Sequence, residues 1–132
     1  MDDFNTALEQ DPQNAVAYYD RALLNTRLED YNAALNDINN SMASNAQNPT
    51  PILQLRDLYA KRGQLNLWLK NWEGAIADYT NSLARPEGIV NPTVYAERAE
   101  AYTALGNYAE AINDYSSAVR VISEQIQGAT SM

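Results

Sequence analysis

Three stretches of this chain carry the same residue types at the same intervals, and a repeat that stays in phase restricts the possible folds severely. Tyr18, Tyr59 and Tyr95 are each followed by an arginine and then a small residue: Arg21-Ala22, Arg62-Gly63 and Arg98-Ala99. Thirteen residues after each tyrosine stands another aromatic, at Tyr31, Trp72 and Tyr108. Next come Ala34-Leu35, Ala75-Ile76 and Ala111-Ile112, then Asp37-Ile38, Asp78-Tyr79 and Asp114-Tyr115, then a small residue at Ser41, Ser82 and Ala118. The first residues fit the second half of one more unit, with Asp3-Phe4 in register with Asp37-Ile38 and Ala7 with Ser41. The intervals Ala7–Ser41, Ser41–Ser82 and Ser82–Ala118 are 34, 41 and 36 residues, so the base period is 34 with short insertions.

Within each unit, small and large apolar residues recur at three- and four-residue spacing, the signature of a buried helical stripe. A break divides each unit at Glu29-Asp30, Lys70-Asn71 and Gly106-Asn107. Turn signals separate the units at Asp11-Pro12-Gln13-Asn14, Asn48-Pro49-Thr50-Pro51, and Pro86-Glu87-Gly88 through Asn91-Pro92. Thr50-Pro51 and Asn91-Pro92 each set a capping side chain before a proline at the first helical position. The pattern predicts helices over about 2–10, 15–28, 32–45, 51–69, 73–84, 92–105 and 108–126. Read as one all-α domain over 1–132, it divides into a half repeat (1–14) and repeats 15–48, 56–89 and 92–127, with an insert at 49–55. Ala22, Gly63 and Ala99 are expected to face Ala34, Ala75 and Ala111 across each hairpin, where a small side chain lets two helices approach closely.

Composition narrows the function. The chain has neither cysteine nor histidine, which removes thiol nucleophiles, imidazole bases and the usual zinc ligands. The carboxylates are dispersed, with no acid/base pair or calcium loop, and no Gly-rich phosphate loop occurs. No catalytic residues, metal or cofactor are therefore expected. The formal net charge of −8 argues against a nucleic-acid role. No stretch approaches the roughly 18 apolar residues a membrane span needs, and the acidic start is unlike a signal peptide, so an intracellular, soluble setting such as the cytoplasm is the default. Asn39-Asn40-Ser41 matches a glycosylation triplet but falls mid-helix.

The spacing resembles the tetratricopeptide repeat over nearly the whole chain. The resemblance implies a right-handed superhelical stack of antiparallel helix hairpins, acting as a scaffold that holds a peptide or helix of another protein in its concave groove. Three departures stand out: arginine at 21, 62 and 98 where the family usually has leucine, Asn25 and Asn66 where it has tyrosine (kept at Tyr102), and a terminal proline present only as Pro12. The arginines and the recurrent aspartates suggest ion pairs, either within a unit or between neighbours. Because the first helix of one unit packs on the second helix of the unit before, the cross-unit pairs Asp3–Arg21, Asp37–Arg62 and Asp78–Arg98 are the expected ones.

By the same resemblance the groove wall comprises Tyr19, Leu23, Thr26 and Arg27, then Asp57, Ala60, Lys61, Gln64, Leu67 and Trp68, then Thr93, Glu97, Glu100 and Thr103. Tyr19, Leu23 and Trp68 are large and apolar on a wall that faces solvent, which suits a hot spot for a partner side chain; alternatively Trp68 folds back beside Trp72. The local excess of positive charge at Arg56, Lys61, Arg62 and Lys70 could favour an acidic ligand, unless Arg62 is already engaged by Asp37. Some relatives grip a chaperone's C-terminal carboxylate from groove positions that here hold Tyr19, Leu23, Lys61, Thr93 and Glu97; only Lys61 suits that task, and Glu97 opposes it. The competing reading is self-association, because Val119, Ile122 and Ile126 continue an apolar stripe past the last repeat.

Overall fold

Seven helices follow one another in the computed structural model, which describes residues 2–85 and 90–130. They are α1 (Asp2–Gln10), α2 (Ala15–Arg27), α3 (Tyr31–Gln47), α4 (Leu55–Trp68), α5 (Trp72–Leu83), α6 (Pro92–Ala104) and α7 (Tyr108–Thr130). No strand occurs among the described residues. α2/α3, α4/α5 and α6/α7 form three hairpins; α4 then packs on α3, α6 packs on α5, and α1 lies against α2. The fold is an all-α stack of helical hairpins.

Local chemistry sets most helix ends. Asn14, Asp30, Asn71 and Asn91 cap α2, α3, α5 and α6 by accepting from the backbone N–H of Ala17, Ala33, Gly74 and Thr93. Pro92 occupies the first turn of α6, as its missing N–H permits. Thr50-Pro51, however, does not start a helix. The Thr50 N–H donates to Asn45 Oδ1 at 3.0 Å, the Thr50 hydroxyl accepts from the Ile52 N–H, and the carbonyl of Thr50 accepts from Leu53. These bonds close a turn over 50–53, so α4 begins four residues later than the sequence suggests, at Leu55. The Pro86-Glu87-Gly88 turn signal lies outside the described residues.

The core runs between hairpins as well as within them. Ala22 and Ala34 are both fully buried, in one cluster with Ile38 of α3 and with Leu58 and Leu65 of α4. A second cluster joins Leu67, Ala75 and Tyr79 of the middle hairpin to Val94 and Ala101 of α6. Buried hydroxyls add a repeating tie: Ser41 donates to the carbonyl of Ala15 at 2.7 Å and Ser82 to that of Arg56 at 2.9 Å, each joining the second helix of a hairpin to the first turn of its partner.

The arginines pair within units, contrary to the cross-unit expectation. Arg21 holds Asp37, Arg62 holds Asp78 and Arg98 holds Asp114, at 2.7, 2.8 and 2.6 Å, each through Nε and Nη2. Asn25 and Asn66 donate to the same aspartates, at 2.9 and 3.0 Å. The third guanidinium nitrogen does cross to the preceding unit: Nη1 donates to Asn5, Asn39 and Thr80 at 2.8, 3.1 and 3.1 Å. Each acceptor lies two residues after an aspartate, about 200° round its helix. The aspartate therefore looks into its own hairpin while the residue two further on looks toward the next unit. Arg62 is accordingly engaged by Asp78 and not by Asp37, and Asp3 is an exposed residue in the first turn of α1.

Candidate partner-binding groove

The first helices of the units bring side chains together in an open cleft of about 240 Å³. Tyr19 of α2, Asp57, Ala60, Lys61 and Gln64 of α4, and Thr93, Val94 and Glu97 of α6 line it, with Asn91 at the rim and Tyr79 at the floor. Seven of the residues selected from sequence, Tyr19, Asp57, Ala60, Lys61, Gln64, Thr93 and Glu97, thus share one site although they come from three different units.

A polar chain crosses the cleft. The Lys61 ammonium donates to Gln64 Oε1 at 3.2 Å, Gln64 bonds Glu97, and the Tyr79 hydroxyl donates to Glu97 Oε2 at 2.6 Å. Burial pushes the Glu97 carboxyl above its usual range, and nearby Glu100 adds to the shift; the bonds from Tyr79 and Gln64 and the charge of Lys61 offset part of it. Burial lowers Lys61, which Glu97 partly restores. The Tyr79 phenol is driven well upward by burial, then by its bond to Glu97. Tyr19 is raised too, by burial and then by Asp57 and Asp20. These are half-dry groups held by neighbours, the setting in which a polar contact with a ligand gains strength.

Tyr79, Asn91 and Val94 are the wall residues that sequence reasoning did not select. Tyr79 belongs to a second helix, and its ring is 1% exposed. It passes over Gly63, where a Cβ would lie 3.0 Å from the ring atoms Cδ1 and Cε1. Glycine at 63 makes room for the ring, and the side chains nearest to it are those of Tyr79 and Asp78. The signal was present: glycine stands at 63 where the other units have alanine.

The remaining selected residues fall elsewhere. Leu67 is a correction: it is buried in the core with Ala75, Tyr79 and Val94, because it lies one helical turn after Gly63 on the side that faces α5. Trp68 is 42% exposed and does not fold beside Trp72. Its ring packs on Tyr31 of the preceding unit, with centroids 5.0 Å apart, and the Lys61 ammonium sits 5.8 Å from its centroid. Leu23 is half-buried, and Arg27 and Glu100 are exposed, outside the cleft lining. The Thr26 hydroxyl turns back to the carbonyl of Ala22. The local excess of positive charge does not reach the cleft as a patch. Arg56 is buried and donates to the carbonyls of Ser82 and Arg85, Arg62 is bound to Asp78, and Lys61 alone lines the wall.

No group of histidine, cysteine or carboxylate side chains among the described residues is arranged to hold a metal ion, and no helix there is long and apolar enough to cross a membrane.

Models of the tetratricopeptide repeat match residues 4–36 and 92–124, together half of the chain. No curated protein matches the sequence. Among solved structures, one of MamA superposes with a TM-score of 0.78 at 20% identity, over 94% of this chain and 67% of that one. The chain spans 63% and 65% of two further MamA structures. BtubC (BKLC) from P. vanneervenii gives 0.76 at 16% identity, over 92% of this chain and 55% of that one. The second tetratricopeptide-repeat domain of Spaghetti (RPAP3), solved bound to the HSP90 peptide SRMEEVD, gives 0.68 at 23% identity, over 87% of this chain and 98% of that one.

Proposed function

Because the chain belongs to the tetratricopeptide-repeat family, we propose that it is a protein-interaction module that receives a segment of a partner protein against its inner wall. The cleft shared by Tyr19, Lys61, Gln64 and Glu97 carries this reading. Three units contribute to it, these four side chains are half-buried, and nothing in it resembles a catalytic pair or a metal site. The Spaghetti domain supports the general mode, since a protein of the same fold was solved with a peptide bound.

The wall chemistry narrows the ligand. Asp57 and Glu97 stand in the cleft against the single cation Lys61, and Glu100 adds a further negative charge beside Glu97. A segment bearing a lysine or arginine beside an apolar residue suits this site better than an acidic tail, with Tyr19 and Ala60 supplying the apolar contact. Panning a random peptide library on the chain tests this. Enriched peptides are expected to be basic and to lose binding on Tyr19→Ala or Glu97→Gln, with the helical circular-dichroism signal unchanged. Enrichment of acidic peptides, or binding that survives truncation of all four wall side chains, would sink the proposal.

A further inference from the structure

The middle unit departs from the repeat at a buried position. Arg56 of α4 stands in register with Ala15 and Pro92, yet it is only 8% exposed. The backbone asks for no arginine there, since the carbonyl of Arg56 accepts from Ser82 just as that of Ala15 accepts from Ser41. The guanidinium lies at the C-terminal end of α5, where Nε donates to the carbonyl of Ser82 and Nη2 to that of Arg85. One edge of the cation is therefore spent on a helix end that favours positive charge. Nη1 is left buried, with no hydrogen-bond partner among the described residues. No carboxylate among the described residues lies within ion-pair distance of it either. A buried charge answered by two carbonyls alone is costly until a counter-charge completes it.

Arg56 lines a pocket between α4, α5 and α6 that adjoins the groove and shares Asp57, Ala60, Asn91 and Val94 with it. Its volume is about 70 Å³, room for a solute of a few heavy atoms, since one water needs roughly 10–15 Å³. A second donor stands in the lining: Asn91 caps α6 through Oδ1, which leaves its amide nitrogen to donate. The positive end of α6 lies at the same wall, and Leu83 and Val90 supply apolar surface that strengthens a polar contact beside it. Asp57, the lone carboxylate of the lining, is exposed, so water screens its charge. We infer that this pocket binds a small monovalent anion such as chloride, held between Nη1 of Arg56 and the Asn91 amide. One guanidinium and one amide answer a single negative charge, and Asp57 opposes a second. The bound ion ties the middle hairpin to the last one, because α4 and α5 supply one side of the pocket and α6 the other. It fills without any peptide in the groove.

Broadening of the chloride NMR signal by the whole chain tests this, with sodium gluconate holding the ionic strength constant. The excess line width is expected to saturate with chloride and to be removed by bromide. Arg56→Ala, which restores the residue of the first unit, should cut the excess at least about tenfold. Asn91→Asp keeps the cap of α6 but brings a carboxylate into the lining, and should abolish the excess as well. Arg120→Gln, a change at an exposed cation of α7, should leave it unaltered. Circular dichroism checks that each variant keeps its helices. The wild-type chain should also melt higher in chloride than in gluconate, and Arg56→Ala at the same temperature in both. Broadening that does not saturate, or that Arg56→Ala matches, overturns the proposal and leaves the pocket to water. Saturable broadening found only in Glu87→Gln means that the chain supplies its own counter-charge, and overturns it too. Displacement of chloride by peptides selected on the groove assigns the pocket to the groove ligand and overturns the free ion. Failure of the peptide selection itself leaves the chloride result standing.

Discussion

At the scale of single residues, the middle unit differs from its neighbours by one exchange that shapes the groove. Gly63 lets the Tyr79 ring slide across its Cα, whereas in the first unit Ala22 pairs in register with Ile38, and in the third Ala99 with Tyr115, which is 45% exposed. Gly63→Ala gains about 1 kcal/mol of helix propensity but presses a methyl against the ring, and overpacking of this kind costs about 1–3 kcal/mol. The net expectation in urea melts is a small loss that becomes a gain when Tyr79→Ile is added, since the pair then repeats the first unit. A non-additive cycle of that sign checks it. The raised Glu97 carboxyl supports a second prediction. A carboxyl whose folded-state pKa is raised stabilises fully below its ordinary pKa and loses that contribution as pH rises through the raised value. Lys61 is shifted the opposite way, by burial, and its contribution is lost as pH falls through its depressed value. Glu97→Gln, which keeps an acceptor for the Tyr79 hydroxyl, should therefore melt higher than wild type at about pH 7 and draw level near pH 4. A constant gap across that range would exclude the Glu97 charge as the cause. Sequence alone showed that the repeated arginines and aspartates belong together, but it misassigned their partners. A guanidinium has donors pointing two ways, and only coordinates show that the fork grips Asp78 while the third nitrogen reaches Asn39.

At the scale of elements, the hairpin turns invite a direct experiment. Each first helix ends in a residue with positive φ: Glu29 at 61°, Lys70 at 64° and Gly106 at 79°. The left-handed conformation costs a residue with a Cβ about 1 kcal/mol or more, which is why glycine commonly closes helices. Lys70→Gly is therefore expected to stabilise the chain by about 0.5–1 kcal/mol, the gain being trimmed by the greater freedom of glycine in the unfolded chain. Gly106→Ala should lose a similar amount. Equilibrium denaturation with both variants measures the pair, and a loss on Lys70→Gly would contradict it. The breaks at these turns were legible because Glu29-Asp30, Lys70-Asn71 and Gly106-Asn107 interrupt an otherwise regular apolar period. The start of α4 was not, because a threonine before a proline reads as a cap, while Asn45, a residue of the previous helix, captures the Thr50 amide and turns the chain first. Leu67 misled for a similar reason: spacing assigns a residue to a helix face only if the phase of that face is known, and one turn beyond Gly63 the face is the hairpin core.

At the scale of the whole molecule, the groove exists only where units stack in register. Tyr19, Lys61 and Glu97 come from α2, α4 and α6, so the cleft inherits its geometry from the contacts between hairpins rather than within them. Stability in such stacks divides into a term for each unit and a term for each junction. The Asp78–Arg62 pair belongs to the first kind, and the bonds from Arg62 to Asn39 and from Arg98 to Thr80 belong to the second. Thr80→Ala removes the acceptor at the second junction while leaving Asp114 and the α6/α7 hairpin intact. The loss in overall stability is expected to be modest, about 1 kcal/mol, because the guanidinium nitrogen regains water there. The loss in cooperativity should be larger: amides of α6 and α7 should exchange with solvent ahead of those in α4 and α5, and the urea dependence should flatten as the last hairpin melts separately. A peptide bound in the groove should weaken as well, although Thr80 is absent from its lining, because Glu97 is then held less firmly against Lys61 and Gln64. Hydrogen exchange read helix by helix, with and without the peptide, distinguishes the two contributions. If α6 and α4 continue to exchange together in the Thr80→Ala chain, the apolar contacts of Val94 and Ala101 with Tyr79 hold the junction by themselves, and the arginine's reach across it only orients the helices.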